Sequence, residues 1–282
     1  MSGFRLGRIF GIDVRVHPSW FIIALLLVWI LATAALPGDF PEVAGPVRLA
    51  MAVSIMILFF LSLLAHELAH SLVAKLRGIP VRRITFFLFG GMAETTRDSR
   101  SPGEEFLIAI AGPAMSVLLA GAFLGFWWAG LTAAWPGWVN GTAAYLAILN
   151  VVLAVFNMLP GYPMDGGRVL RAAIWKVTGD ATRATRWASR VGELLALLLM
   201  AYGVWQAFAV DLIGGMWLVL IALFIRNAAR SSYRQHVLGR LQEVARQAWR
   251  VRSFHDRGPG SDPLRPPGLT GRDVTGMGGG TG

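Results

Sequence analysis

Residues 64–70 read Leu-Ala-His-Glu-Leu-Ala-His and place His66, Glu67 and His70 inside one long apolar stretch. On a helix, side chains four apart lie on one face a turn from each other, so two imidazoles can be aimed at one metal ion. Glu67 then stands beside them, where its carboxylate can take a proton from attacking water. With only five histidines in the chain, chance would produce this pattern on the order of 0.002 times. The bland alternative is a pair of packed histidines. It leaves three ionisable groups without partners among apolar neighbours, at a cost of several kcal/mol.

A catalytic zinc site takes three protein ligands and keeps one position open. The chain has no cysteine, and its other histidines are His17, His236 and His255. The best third donor is Asp165, in Phe156-Asn157-Met158-Leu159-Pro160-Gly161-Tyr162-Pro163-Met164-Asp165-Gly166-Gly167-Arg168. Pro160, Gly161 and Pro163 end an apolar run there, and irregular backbone at membrane depth is tolerated where it lines protein or a water-filled cavity. Spacing alone leaves two roles open for Asp165: metal ligand, or cap of the following helix.

These residues need a scaffold, and composition indicates which. Of 282 residues, 55% are hydrophobic and 15% charged, with a mean hydropathy of +0.56. A soluble domain carries about a quarter charged residues, so lipid must cover much of this surface. High hydrophobicity excludes disorder over most of the chain, and the lack of cysteine excludes disulfides and thiolate ligands. Six apolar stretches, residues 20–36, 48–72, 105–129, 143–159, 193–210 and 212–225, are candidate spans, a crossing helix needing about 20 residues. The last two form a tight hairpin at Asp211. No small-residue cleavage site follows the first stretch, so it does not read as a signal peptide.

Residues 79–94, between the second and third spans, are rich in β-branched and aromatic side chains and interrupted by Gly90-Gly91. They read as a strand or hairpin. An exposed strand edge there could hold an extended peptide by main-chain hydrogen bonds through Phe89, Gly90, Gly91 and Met92. The alternative is a loop that only packs beside the helix of His66 and His70. Residues 168–190 carry six basic side chains and read as a surface or interfacial helix; 231–252 form a basic juxtamembrane helix. From Ser253 onward Gly and Pro supply 13 of 30 residues, the composition of a disordered tail. The expected fold is thus an α-helical polytopic membrane protein. It has about six transmembrane helices in residues 1–230, a short membrane-associated β-strand or hairpin after the second, and a disordered C-terminal tail.

Placing the amino terminus in the cytoplasm leaves one of the 26 Lys and Arg residues, Arg48, at an outside edge. The positive-inside rule then sets both termini in the cytoplasm. The net charge of +10 becomes a matter of topology, and the basic tail suits anionic lipid, not nucleic acid.

His-Glu-Leu-Ala-His in a span, followed downstream by Asn157-Met-Leu-Pro160-Gly-Tyr-Pro163-Met-Asp165-Gly166-Gly167, resembles the site-2 protease family of intramembrane zinc metalloproteases. His17-Pro-Ser-Trp20, Phe89-Gly-Gly91 and Ala111-Gly-Pro-Ala-Met-Ser116 support the resemblance, which extends over roughly residues 5–230. It implies one Zn2+ per chain held by His66, His70 and Asp165, with Glu67 as general base. It further implies that Asn157 helps hold the substrate carbonyl or oxyanion, and that the site opens towards the cytoplasm of a prokaryotic plasma membrane. The implied partners are a single-span or membrane-associated protein substrate and the lipid bilayer, with a homodimer allowed. Alternatives from other classes are an intramembrane metal-ion transporter and a catalytically silent scaffold. One branch of the family appends CBS domains. Residues 269–275 faintly resemble the opening of one, and no complete module follows.

Three weaker features complete the reading. His17 ahead of Pro18 either faces the site or makes a structural hydrogen bond. Gly112-Pro113 and Ser116 suit close helix packing with no chemistry required. The tryptophans suit an interfacial belt, and Arg183, Arg186 and Arg190 a solvated edge.

Overall fold

A computed structural model describes residues 3–88 and 90–255. The Gly/Pro-rich tail beyond His255, with the CBS-like residues 269–275, lies outside the described residues, as does Phe89. By internal contacts the chain divides after Arg234, and the architecture below is that of the first unit.

Among the described residues, six helices are long and apolar enough to cross a membrane: Trp20–Asp39, Gly45–Leu76, Pro102–Thr132, Gly137–Asn157, Ala181–Ala209 and Leu212–Ser231. Every one contains or largely overlaps an expected apolar run. The first comprises α1 (Trp20–Ile30), a π-helical turn (Leu31–Ala35) and α2 (Leu36–Asp39). The next three are α3 (Gly45–Leu76), α4 (Pro102–Thr132) and α5 (Gly137–Asn157). The fifth is α7 (Ala181–Ala209), and the sixth opens α8 (Leu212–His255). Large apolar side chains stand outward along them, among them Leu25, Leu118, Val155, Leu198 and Ile213, each more than half exposed. Such faces are stable only against lipid tails. Between α7 and α8, Asp211 accepts hydrogen bonds from the Ile213 and Gly214 amides, which closes the expected hairpin.

Inside the bundle, Met51, Ile55 and Leu146 pack with Leu31 and Leu36, all at most 5% exposed. One turn before His66, Ser62 accepts a bond from Asn150 Nδ2 at 3.2 Å, so α3 and α5 also share a buried polar contact.

The strand region is larger than the sequence suggested. It is a four-stranded sheet in the order β1-β2-β3-β4, with β1 Phe4–Ile9, β2 Ile12–Val16, β3 Val81–Phe87 and β4 Gly90–Thr95. The expected hairpin is β3/β4, paired antiparallel with Phe86 opposite Gly91. The first two strands were not anticipated. They are joined by a two-residue turn, Phe10-Gly11, with φ of 50° and 79°, the backbone of a type I′ hairpin. β2 alternates: Ile12, Val14 and Val16 are buried, while Asp13 and Arg15 lie on the other face. It pairs parallel with β3, Val14 opposite Ile84, so the first two spans form the crossover between them. The sheet packs through Ile12, Val14, Ile84 and Phe86 on Ala74, Ile79 and Ile108, which holds β3 and β4 beside α3, the helix of His66 and His70.

Residues 168–190 are not one surface helix. α6 (Asp165–Thr178) ends at Gly179, whose φ of 70° is left-handed, and α7 begins at once with Asp180 accepting from the Thr182 and Arg183 amides. Arg171, Ala184, Thr185, Ala188 and Ser189 are buried. One face of this polar segment is thus turned inward, behind the residue that opens α6, Asp165, while Lys176, Arg183, Arg186 and Arg190 stay exposed as a surface edge.

Candidate metal centre

His66 and His70 leave α3 one turn apart, with their Nε2 atoms 3.2 Å from each other. Asp165, the first residue of α6, brings its Oδ2 to 3.2 Å from His66 Nε2 and 3.1 Å from His70 Nε2. His66 and His70 are 2% and 6% exposed, so the two imidazoles are buried, while the Asp165 side chain keeps 13% exposure. Met164, not Asp165, is the N-cap of α6, and among the described residues the Asp165 carboxylate contacts the two imidazoles and no backbone amide. Of the two roles left open for Asp165, the geometry therefore favours the metal ligand.

The donor set can be tested against a metal without placing one. Tetrahedral zinc with bonds of about 2.0–2.1 Å has ligand-to-ligand edges of roughly 3.3 Å, close to the 3.1–3.2 Å found here. Tautomers sharpen the point. His70 Nδ1 lies 2.6 Å from the Ile108 carbonyl, which only accepts, so Nδ1 carries a proton. A neutral His70 then turns the Nε2 lone pair towards a carboxylate oxygen and a second ring nitrogen. Three electron-rich atoms converge, and only a cation or a proton between them satisfies the arrangement. His66 Nδ1 is likewise engaged, at 2.9 Å from Ser116 Oγ. Metal-binding histidines characteristically use the second ring nitrogen in this way.

Glu67 is half-buried beside the trio, and among the described residues its carboxylate makes no hydrogen bond, leaving it open as a proton acceptor. β4 passes directly over it: a Cβ on Gly91 would fall 2.6–2.8 Å from Glu67 Cγ, Cδ and Oε1. Only glycine allows strand and carboxylate to approach this closely. Gly90 opens β4 with φ 126°, and Met92 is 44% exposed. Asn157 is the last residue of α5; its Nδ2 donates to the Leu153 carbonyl at 2.9 Å, within its own helix.

His17 Nδ1 accepts from the Ser19 amide and lies 2.8 Å from Ser19 Oγ, which itself accepts from the Leu88 amide. His17 thus serves structure, tying the entry of α1 to the end of β3.

Electrostatics around Asp165 favour an anionic ligand. Burial alone would push its carboxyl up, but the His66 and His70 contacts outweigh it and hold the group well below the ordinary carboxylate range. Behind it, Glu105 pairs with Arg168 and Arg171 at 3.1 and 3.0 Å. Tyr162 is pushed up to about 12, by burial first and then by the nearby Glu105 carboxylate, so its phenol stays neutral.

Residues 54–132 and 130–199, together just over half of the chain, match the peptidase family M50. The chain belongs to peptidase family M50. Relatives of this M50 chain include a Synechocystis protein named as a zinc metalloprotease, 39% identical over 83% of this chain and 60% of its own. Mycobacterium tuberculosis Rip3, also named as a zinc metalloprotease, is 42% identical over 80% of this chain and 57% of its own. The chain thus spans about three fifths of the length of these relatives. The solved site-2 protease from Methanocaldococcus jannaschii superposes with a TM-score of 0.56 at 27% identity, covering 82% of this chain and 95% of that one. Family, fold and spans together make this a multi-pass membrane protein of peptidase family M50.

Sequence reasoning missed how the site is held. Ser116 and Gly112 were assigned to packing alone, yet Ser116 bonds His66 and Gly112 faces both imidazoles. The Ile108 carbonyl leaves no mark in sequence, being backbone. The signal for the Glu105 cluster was an acid near the start of a span and six basic residues in one short segment.

Proposed function

We propose that this M50 chain is an intramembrane zinc endopeptidase of the site-2 type, hydrolysing peptide bonds in or near transmembrane segments of membrane proteins. The observation that carries the reading is the convergence of His66 Nε2, His70 Nε2 and Asp165 Oδ2 at 3.1–3.2 Å inside the bundle, next to Glu67, whose carboxylate makes no hydrogen bond among the described residues. One zinc per chain bound there supplies a Lewis acid that polarises the scissile carbonyl and acidifies water to near neutrality. Glu67 takes the proton of the attacking water and returns it to the leaving amine. Asn157, released from the Leu153 carbonyl, donates to the developing oxyanion. With 25 of 26 basic side chains on one side, both termini face the cytoplasm and the site opens there.

A substrate helix hides its amides and must be unwound before hydrolysis. β4 is an edge strand lying over Glu67, so an opened segment added to its free edge reaches the catalytic carboxylate directly. Single proline substitutions from Gly90 to Glu94 are expected to depress cleavage most where the outward-facing amide is removed. Unchanged cleavage at every position would eliminate the strand clamp.

The test of the reading is cleavage of a panel of single-span proteins by the purified chain in detergent, with metal content measured alongside. Near one zinc per chain, cleavage abolished by a chelator and restored by zinc is the expected result. Chelator-insensitive cleavage would refute the zinc mechanism. Bound zinc with metal flux in liposomes and no cleavage of any substrate would favour a transporter.

A further inference from the structure

A second ion cluster lies behind the metal-ligating trio and has no part in the chemistry above. Glu105, in the first turn of α4, is 3% exposed. Arg168 Nε donates to its Oε1 at 3.1 Å, and Arg171 Nη1 lies 3.0 Å from its Oε2. Arg171 is 6% exposed and spends a second donor, Nε, on Thr185 Oγ1 at 2.9 Å. Thr185 donates onward to the Ala181 carbonyl at 2.8 Å, and the Arg171 guanidinium lies 5.4 Å from the Trp175 ring centre. Three helices are therefore locked through two arginines of α6. Arg168 is one turn along from Asp165, and Arg171 one turn beyond that.

Adhesion between helices is a poor account of this cluster. Apolar side chains of similar volume hold helices together as well as a buried ion network or better, whereas ion pairs fix one arrangement among several. A metal ligand needs that kind of fixing, since a site loosened by about an ångström no longer works. Asp165 needs it most: it follows the irregular backbone of residues 158–164, whereas His66 and His70 sit deep within a 32-residue helix.

We infer that Glu105 is a positioning residue for the metal site, holding Asp165 in place through Arg168 and Arg171. The inference rests on the zinc reading and adds to it a common frame. α4 engages His66 through Ser116, His70 through the Ile108 carbonyl and, by way of Glu105, the helix that carries Asp165. One helix that ligates nothing thereby sets all three ligands.

The test is the zinc dissociation constant of the purified full chain in detergent, read by competition with a chromophoric chelator. Glu105→Gln is expected to weaken zinc binding about 10–100-fold, the usual effect of losing an outer partner of a ligand, and Glu105→Asp to recover part of it. Thr185→Val, which removes one bond to Arg171 at constant shape, is expected to weaken binding a few-fold. Leu146→Ala destabilises the bundle away from the site and is expected to lower the melting temperature with zinc affinity within about twofold of wild type. A folded Glu105→Gln that binds zinc as tightly as wild type overturns the inference. Should that variant fail to fold, unchanged affinity in Thr185→Val overturns it instead. A wild-type chain that binds no zinc removes the zinc reading itself, a result distinct from equal binding by variant and parent.

Discussion

Glu67→Gln is expected to lower kcat by on the order of 10²–10⁴ while the protein keeps its zinc. The three converging donor atoms belong to His66, His70 and Asp165, so on the proposed reading removing the negative charge of Glu67 subtracts no ligand. Glutamine matches glutamate in size and still fits under Gly91, which leaves β4 where it is. What disappears is the one function an amide cannot supply, acceptance of a proton from attacking water. KM should therefore change little and kcat should fall. Measuring both on a single-span substrate, with metal content on the same samples, separates the outcomes. Zinc lost with activity would make Glu67 a ligand, and undiminished turnover would exclude it as the base.

How far the sequence reveals this molecule depends on the range of each interaction. Spans are legible because each is a long local run whose apolarity is its own explanation, and the β3/β4 hairpin because its partners are adjacent. The β1/β2 pair escaped notice for the opposite reason. β2 is five residues long, interrupted by Asp13 and Arg15, and its parallel partner β3 lies some 70 residues away, beyond two spans. A similar limit hid the two inward arginines of residues 168–190. Lys176, Arg183, Arg186 and Arg190 are exposed as expected, but Arg168 and Arg171 look like more of the same surface until Glu105, 63 residues before Arg168, is placed against them.

The site divides along the same line. His66, Glu67 and His70 are legible because helical periodicity brings them together with no help from the rest of the fold. Asp165 could be nominated from its broken-backbone setting, but spacing left it between ligand and cap, and a resemblance was needed to choose. The residues that orient the ligands were illegible: Ser116 and Gly112 resemble any small pair at a helix contact, and a carbonyl such as that of Ile108 belongs to every residue type.

Gly112→Ala puts the importance of those neighbours to its hardest test. In the interior of an exposed helix, glycine to alanine gains up to about 1 kcal/mol, and Gly121 on the same helix, with nothing within 4 Å of an added Cβ, should behave that way. At Gly112 the added Cβ would overlap His70 Nε2 and fall 2.6 Å from His66 Nε2. Neither ring can step aside cheaply. Their Nδ1 atoms are bonded to Ile108 and Ser116, one turn before and one turn after Gly112, so the methyl group enters between two pinned imidazoles. Moving α4 outward instead would pull on Glu105 and its two arginines. Zinc affinity is expected to fall more than about 100-fold, with cleavage lost at ordinary zinc concentrations, although the helix itself becomes a better helix. Gly121→Ala, with wild-type zinc affinity and an equal or higher melting temperature, is the matched control. Parallel behaviour of the two variants would mean that α4 is packing alone and that the imidazoles are held by something else.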